Sequence, residues 1–301
     1  MSSRPTPAFL TRRRVVMAAV TLAGAIGLVA CAPEKLLDSL SSLRGGDPAR
    51  QAVDGASFGP LARQKLDVWT PRTASKRPLP VVVFFYGGGW VKGERGGYGF
   101  AARAFASRGY VVVVPDYRLV PETRFPGFIE DGAAAVRWAQ DHAAEFGGDP
   151  AQILLSGHSA GAYIGAMLAL DRHYLNAAGV RPGAIKGAAL LSGPYDFYPW
   201  TEQRGRDALG NWPRPLETQP ISFARADAPP LLLMHGTADT VVRPYNAEHL
   251  AAKLRAAGAP VELKLYPGKS HIDTIKSLSP VFRGSTPALA DSIAFFRAHT
   301  R

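Results

Sequence analysis

The sequence predicts a doubly wound α/β domain: a mostly parallel, twisted sheet with helices on both faces and a small cap insertion. Three observations predict it. Nearly continuous apolar runs recur at Val81–Phe85, Val111–Val114, Ile153–Leu155, Ala188–Leu191 and Leu231–Leu233, as strands buried on both faces do. Helical stretches fall between these runs, and such alternation builds a parallel sheet. The 301 residues, 47% hydrophobic and 20% charged, suffice for one large domain with a sizeable core.

The leader comes first. Residues 1–14 hold Arg4, Arg12, Arg13 and Arg14 and no acid, and an apolar run from Val15 to Ala30 follows. A basic stretch, an apolar stretch and small residues before a cut site describe an export signal over residues 1–30. The run is shorter than the roughly 20 residues a spanning helix needs. It ends in Leu28-Val29-Ala30-Cys31, and Cys31 is the only cysteine. Thr11-Arg12-Arg13-Arg14-Val15-Val16 also looks like a twin-arginine signal, with a plain signal as the alternative. Removing the four leader arginines lowers the net charge from +11 to +7. The basic residues are scattered, without clusters interleaved with aromatics, so a basic surface is expected rather than a nucleic-acid partner.

Residues 31–60 are polar and aperiodic and read as a tether plus an N-terminal lid element. The α/β domain is expected over 61–301. A helix near 127–146 places Phe128, Gly132, Ala135, Ala139 and His142 on one face. The stretch 160–170 is apolar all round, as a buried helix is. Residues 197–228, rich in tryptophan and proline without a period, read as a cap insertion, or else as a loop on the sheet edge. Ala247, Leu250, Ala251 and Leu254 have helical spacing, stopped by Gly258 and Pro260. Val261–Tyr266 alternates apolar and charged residues, as a strand with one wetter face does. Thr286-Pro287 opens a last helix with Leu289, Ile293 and Phe296 inside.

Two glycine motifs carry chemistry. Gly157-His158-Ser159-Ala160-Gly161 follows a strand and precedes the buried helix. A strand, a tight turn and a helix make a nucleophile elbow, with the serine hydroxyl raised above the sheet and free helix N–H groups beside it. Tyr86-Gly87-Gly88-Gly89-Trp90 follows the run at Val81–Phe85. Bare glycine amides there, with the amide of Ala160, can face a developing oxyanion. Trp90 reads either as the floor of an acyl pocket or as core.

A serine nucleophile needs a base, and the base needs an acid. His271, in the loop Gly268-Lys269-Ser270-His271-Ile272-Asp273, is the candidate base. His158 is expected to point away and His235 to be structural. Asp239 completes the chain order Ser159, Asp239, His271. Asp196 is its rival, and Asp273 lies too near His271 to orient it. Gly268-Lys269-Ser270 is not a phosphate loop, because Leu263 stands where that motif needs its first glycine.

The elbow, the glycine loop, Asp239 and His271 together resemble the hormone-sensitive-lipase-like and feruloyl-esterase-like branch of the α/β-hydrolases. The segments Pro115-Asp116-Tyr117-Arg118-Leu119 and Gly148-Asp149-Pro150 resemble that branch as well. The resemblance implies a serine carboxylesterase for small acyl or aryl esters, with oxyanion donors at Gly88, Gly89 and Ala160, Gly87 being the alternative to Gly88. Tyr86 departs from the family's histidine and is expected, with Trp90, in the substrate pocket. No metal or organic cofactor is expected. An amide-cleaving relative such as an arylformamidase, or a binding protein on an inert scaffold, are the alternatives. The end of the leader resembles a bacterial lipobox. That implies a lipid on Cys31, a membrane partner, and a place on the periplasmic side of the envelope.

Overall fold

The computed structural model describes residues 33–43 and 46–300. The expected export signal and Cys31 lie outside the described residues. In chain order the strands are β1 (Ala49–Ser57), β2 (Lys65–Pro71), β3 (Leu79–Phe85), β4 (Val111–Pro115), β5 (Gly148–His158), β6 (Ile185–Leu191), β7 (Leu231–Gly236) and β8 (Val261–Tyr266). The helices are α1 (Pro33–Leu43), α2 (Gly99–Ala106), α3 (Gly127–His142), α4 (Ala160–Leu170), α5 (Arg172–Ala177), α6 (Gln203–Leu209), α7 (Tyr245–Ala256), α8 (His271–Lys276) and α9 (Ala288–His299). None of the described helices is long and apolar enough to cross a membrane.

The eight strands form one sheet in the order β1-β2-β4-β3-β5-β6-β7-β8. β1 and β2 run antiparallel, and β3 to β8 are parallel. Parallel strands need a crossover between them, and the crossovers supply helices to both faces. Consecutive residues of β3 separate those faces. The Phe84 ring lies 6.3 Å from Phe105 of α2, whereas Phe85 meets α3 at Gly132 on the other side. Phe105 in turn meets Phe296 of α9 at 5.8 Å. Every residue of α4 is buried, as its unbroken apolar sequence requires. Val261, Leu263 and Leu265 of β8 are half-buried between exposed Glu262 and Lys264, which fits the last strand of the sheet.

Two expectations need correction, and one strand, β2, was not foreseen. Residues 49–57 are not a tether or lid but the edge strand β1, paired with β2. Two register shifts, between Gln51 and Val53 and between Val53 and Ala56, interrupt the two-residue alternation by which a strand is recognised. β2 was hidden by Asp67, a charge only 3% exposed between Leu66 and Val68. Its carboxylate is paired with Arg95 Nε at 2.7 Å, a partner that only folding supplies. Pro287 stands one residue before α9 rather than inside it, and Thr286 Oγ1 accepts from the Ala288 amide at 3.3 Å.

Candidate active site

The site lies at the carboxyl ends of β3, β5 and β7, where open α/β sheets leave a crevice. β5 runs directly into α4, and Ser159 is the turn between them, with φ 55° and ψ −119°. A non-glycine residue seldom holds that conformation, which costs on the order of 1–3 kcal/mol. Close packing on both sides enforces it. A Cβ on Gly161 would stand 2.1 Å from the carbonyl oxygen of Phe85, so only glycine lets α4 rise this near β3. The Ser159 amide donates to Leu191 O at 2.9 Å, and its carbonyl accepts from Tyr163 in the first turn of α4. Ser159 and Ala160 line a cavity of about 420 Å³. Among the described residues, the Ser159 hydroxyl has no hydrogen-bond partner and does not bond to His271.

The glycine loop folds beside it. Gly88 has φ +136°, and a Cβ there would collide with Lys92 O at 2.0 Å. The Gly88 carbonyl accepts from the amides of Val91 and Lys92, both at 3.3 Å, which curls the loop. Among the described residues, the amides of Gly88, Gly89 and Ala160 donate to no protein acceptor, so they are free to meet an anion. Gly89 and Trp90 line the cavity, whereas Gly88 does not.

Tyr86, expected in the substrate pocket, is instead fully buried beneath the loop. It stacks on Tyr117 at 4.5 Å and on Tyr98 at 5.6 Å. Its hydroxyl accepts from Arg63 Nη2 at 3.1 Å, and its carbonyl accepts from the Tyr117 hydroxyl at 2.9 Å. Burial raises the Tyr86 pKa well above that of a free phenol. Arg63 also donates to the carbonyls of Gly93 and Tyr117. Tyr86 therefore fills core and pins the loop, and an aromatic residue can do both. Trp90 lies between Phe128 at 5.8 Å and Phe197 at 6.2 Å. It is both core and cavity wall.

His271 begins α8, capped by Ser270 and Asp273. The Asp273 carboxylate accepts from the Ser270 amide at 2.7 Å and from its hydroxyl at 2.6 Å, so it serves the cap rather than His271. His271 Nδ1 donates to Asp239 Oδ2 at 2.7 Å. This fixes the tautomer and leaves Nε2 with its lone pair. Asp239 is saturated with donors. The amides of Val241 and Val242 reach Oδ1 at 2.9 Å, and His235 Nε2 reaches Oδ2 at 3.1 Å. Burial alone would raise its pKa, but the hydrogen bonds from His235 and His271 outweigh burial and hold the carboxyl well below the usual carboxylate range. The rival Asp196 is engaged with His249 at 2.7 Å.

His158, expected to point away, packs on His271 with ring centroids 4.8 Å apart. Its Nε2 donates to the His271 carbonyl at 3.1 Å. Burial first, and the neighbouring His271 imidazole second, push its pKa down to about 3. His158 and His235 are thus both neighbours of the His271–Asp239 pair that sequence reasoning did not place there. The one signal was that each adjoins a motif, His158 inside the elbow and His235 four residues before Asp239.

The expected cap segment also reaches the cavity, which residues from Phe197 to Gly205 line along one side. Tyr163 of α4 ties that segment down by donating to Thr218 O at 2.7 Å.

Comparisons with known proteins agree with this geometry. The chain is 30% identical over 266 residues to a probable isoprenylcysteine alpha-carbonyl methylesterase of Oryza sativa subsp. japonica, covering 81% of this chain and 63% of that protein. It is 31% identical over 235 residues to esterase LipC of Mycobacterium tuberculosis, covering 71% and 58%. The chain thus spans about three fifths of the length of these curated relatives. Among solved structures, the apo form of Thermogutta terrifontis esterase 2 superposes with a TM-score of 0.67 at 24% identity, covering 81% of this chain and 94% of that one. The same esterase phosphonylated by cyclosarin gives 0.61 at 26% identity, covering 73% and 84%. The fold is therefore that of the α/β-hydrolase esterases. The BD-FAE family model matches residues 66–254, which hold the glycine loop, the elbow and Asp239, and the chain belongs to the BD-FAE family.

Proposed function

We propose that this chain is a serine carboxylesterase acting on small acyl or aryl esters through an acyl-enzyme on Ser159. One observation carries the reading: His271 Nδ1 is held by Asp239 at 2.7 Å, which leaves Nε2 with its lone pair, and a cavity exposes Ser159 at a helix N-terminus. His271 takes the Ser159 proton as the oxygen attacks the ester carbonyl. The free amides of Gly88, Gly89 and Ala160 receive the oxyanion, and such donors are worth roughly 3 kcal/mol each in the transition state. His271 then protonates the leaving alcohol, and water repeats the cycle to release the acid. Among the described residues no hydrogen bond restrains the Ser159 hydroxyl, and catalytic hydrogen bonds often tighten only when substrate binds. The esterase names of the relatives support the reaction class, as does the phosphonylated state of the Thermogutta enzyme.

p-Nitrophenyl esters of graded chain length, run beside formanilides, test the reading, with Ser159→Ala as control. Ester turnover lost in Ser159→Ala supports it. Equal rates in the two proteins sink it, and turnover of formanilides alone would assign an amide-cleaving enzyme instead. We further propose that the chain is exported to the bacterial envelope and anchored by a lipid on Cys31. The support is the leader pattern and the position of the sole cysteine. Mass spectrometry of the mature protein should find lipidated Cys31 at its N-terminus; an unmodified cysteine after Ala30 rejects the anchor.

A further inference from the structure

The cavity over Ser159 is lined by three ionisable side chains other than tyrosine, namely Arg204, Arg243 and Glu202. Two cations and one anion leave a net positive wall. Arg204 stands apart from the other arginines of its segment. Arg206 donates to the carbonyls of Trp200 and Thr201, Arg214 pairs with Glu217, and Arg225 pairs with Asp227. Among the described residues, Arg204 has no acidic partner, no hydrogen-bond acceptor and no aromatic ring beneath it, and Arg243 has no acidic partner either. The stem of Arg204 is nonetheless positioned. Its Cδ lies 2.8 Å from where a Cβ on Gly89 would stand, so it packs on the bare backbone of the glycine loop. That loop is where the carbonyl oxygen of a bound ester would sit. A planar cation with five donors, placed there without a protein anion, is complementary to a carboxylate on the substrate.

We infer that the site selects esters bearing a carboxylate a few bonds from the scissile carbonyl, half-esters of short dicarboxylic acids being one such class, and that Arg204 determines this specificity. The inference rests on the ester-cleaving reading of the same site. The aromatic lining from Phe197, Trp200 and Tyr245 accommodates the apolar remainder of the substrate. The net charge, +11 with the four leader arginines and +7 without them, draws anionic substrates toward the protein at low salt.

The test compares kcat/KM for matched pairs. 4-Nitrophenyl hydrogen glutarate against 4-nitrophenyl valerate places the charge on the acyl side. 4-Acetoxybenzoate against 4-acetoxybenzamide places it on the alcohol side. Arg204→Gln is expected to lower the charged-to-neutral ratio about tenfold in at least one pair, mostly through KM. Arg204→Lys should keep part of the ratio, because it restores charge without the planar fork. Arg214→Gln removes the same charge away from the cavity and should leave the ratio as it was. An unchanged ratio in Arg204→Gln in both pairs, or an equal fall in Arg214→Gln, overturns the inference. A separate binding measurement distinguishes failure of the esterase reading. In Ser159→Ala protein, tryptophan fluorescence should report tighter binding of monoethyl glutarate than of ethyl valerate. Adding Arg204→Gln should abolish that preference, and equal binding of the two esters overturns the inference whether or not the chain turns over esters.

Discussion

His158 Nε2 lies 3.1 Å from the carbonyl oxygen of His271, so the residue before Ser159 holds the backbone of a residue 113 positions away. Burial first, and the neighbouring His271 imidazole second, keep the ring neutral against the pull of this hydrogen bond, with a pKa of about 3. In the unfolded chain the same ring takes a proton near its ordinary value of about 6.5. Below that pH the unfolded state binds more protons, so folding stability falls as pH drops from about 6.5 toward 3. Asp239, whose carboxyl is depressed, adds to the loss once pH passes below the ordinary carboxylate range. Urea midpoints measured against pH should therefore decline over this window in the wild type and more gently in His158→Gln. Identical slopes would remove His158 from the account.

Ser159→Ala, His271→Ala and Asp239→Asn should each cut kcat for ester hydrolysis by about 10⁴-fold, and Ser159→Ala, which breaks no hydrogen bond among the described residues, should leave the thermal midpoint near that of the wild type. Because the three act as a unit, the double variant Ser159→Ala/His271→Ala should be no slower than the worse single one. Additive losses in steady-state kinetics would argue that the two residues work independently.

Gly161→Ala should be among the most damaging small substitutions in the chain. The new methyl would stand 2.1 Å from Phe85 O and 2.5 Å from Tyr86 O, backbone atoms at the end of β3 and the start of the glycine loop. A destabilisation of about 4 kcal/mol or more, or no soluble protein, is expected. Thermal or urea unfolding checks this, and a loss under about 1 kcal/mol would contradict the packing described.

Arg63→Met should lower kcat about tenfold with a smaller change in KM, because it frees the loop at Tyr86, Gly93 and Tyr117 without touching the cavity. Arg63→Lys, which restores one donor group, should recover part of that loss. A change confined to KM would show that Arg63 acts on substrate binding rather than on the placement of the loop.

Much of the frame was legible along the chain, for identifiable reasons. Strands β3 to β7 announce themselves because each is covered on both faces and so carries a run of consecutive apolar residues. The helix after the elbow is legible for the same reason. The strand-turn-helix setting of Ser159 needs only neighbours in sequence, as do the glycines around it. β1 and β2 were not legible. One is a bulged edge strand, and the other buries Asp67 on a contact with Arg95 28 residues on.

By itself, the sequence determined the succession of strands from β3 to β8, the tight turn at Ser159 and the glycine loop, and it singled out His271 and Asp239 as candidate base and acid, because these depend on local periodicity and chain order. The tertiary structure alone decided which side chains surround that pair. It turned Tyr86 from a pocket wall into a buried prop, brought His158 and His235 onto His271 and Asp239, and laid Arg204 over Gly89 without a partner among the described residues. Apart from His235 on Asp239, those relations join segments tens to more than a hundred residues apart, and no local pattern encodes a contact that exists only once the sheet has brought its strand ends together.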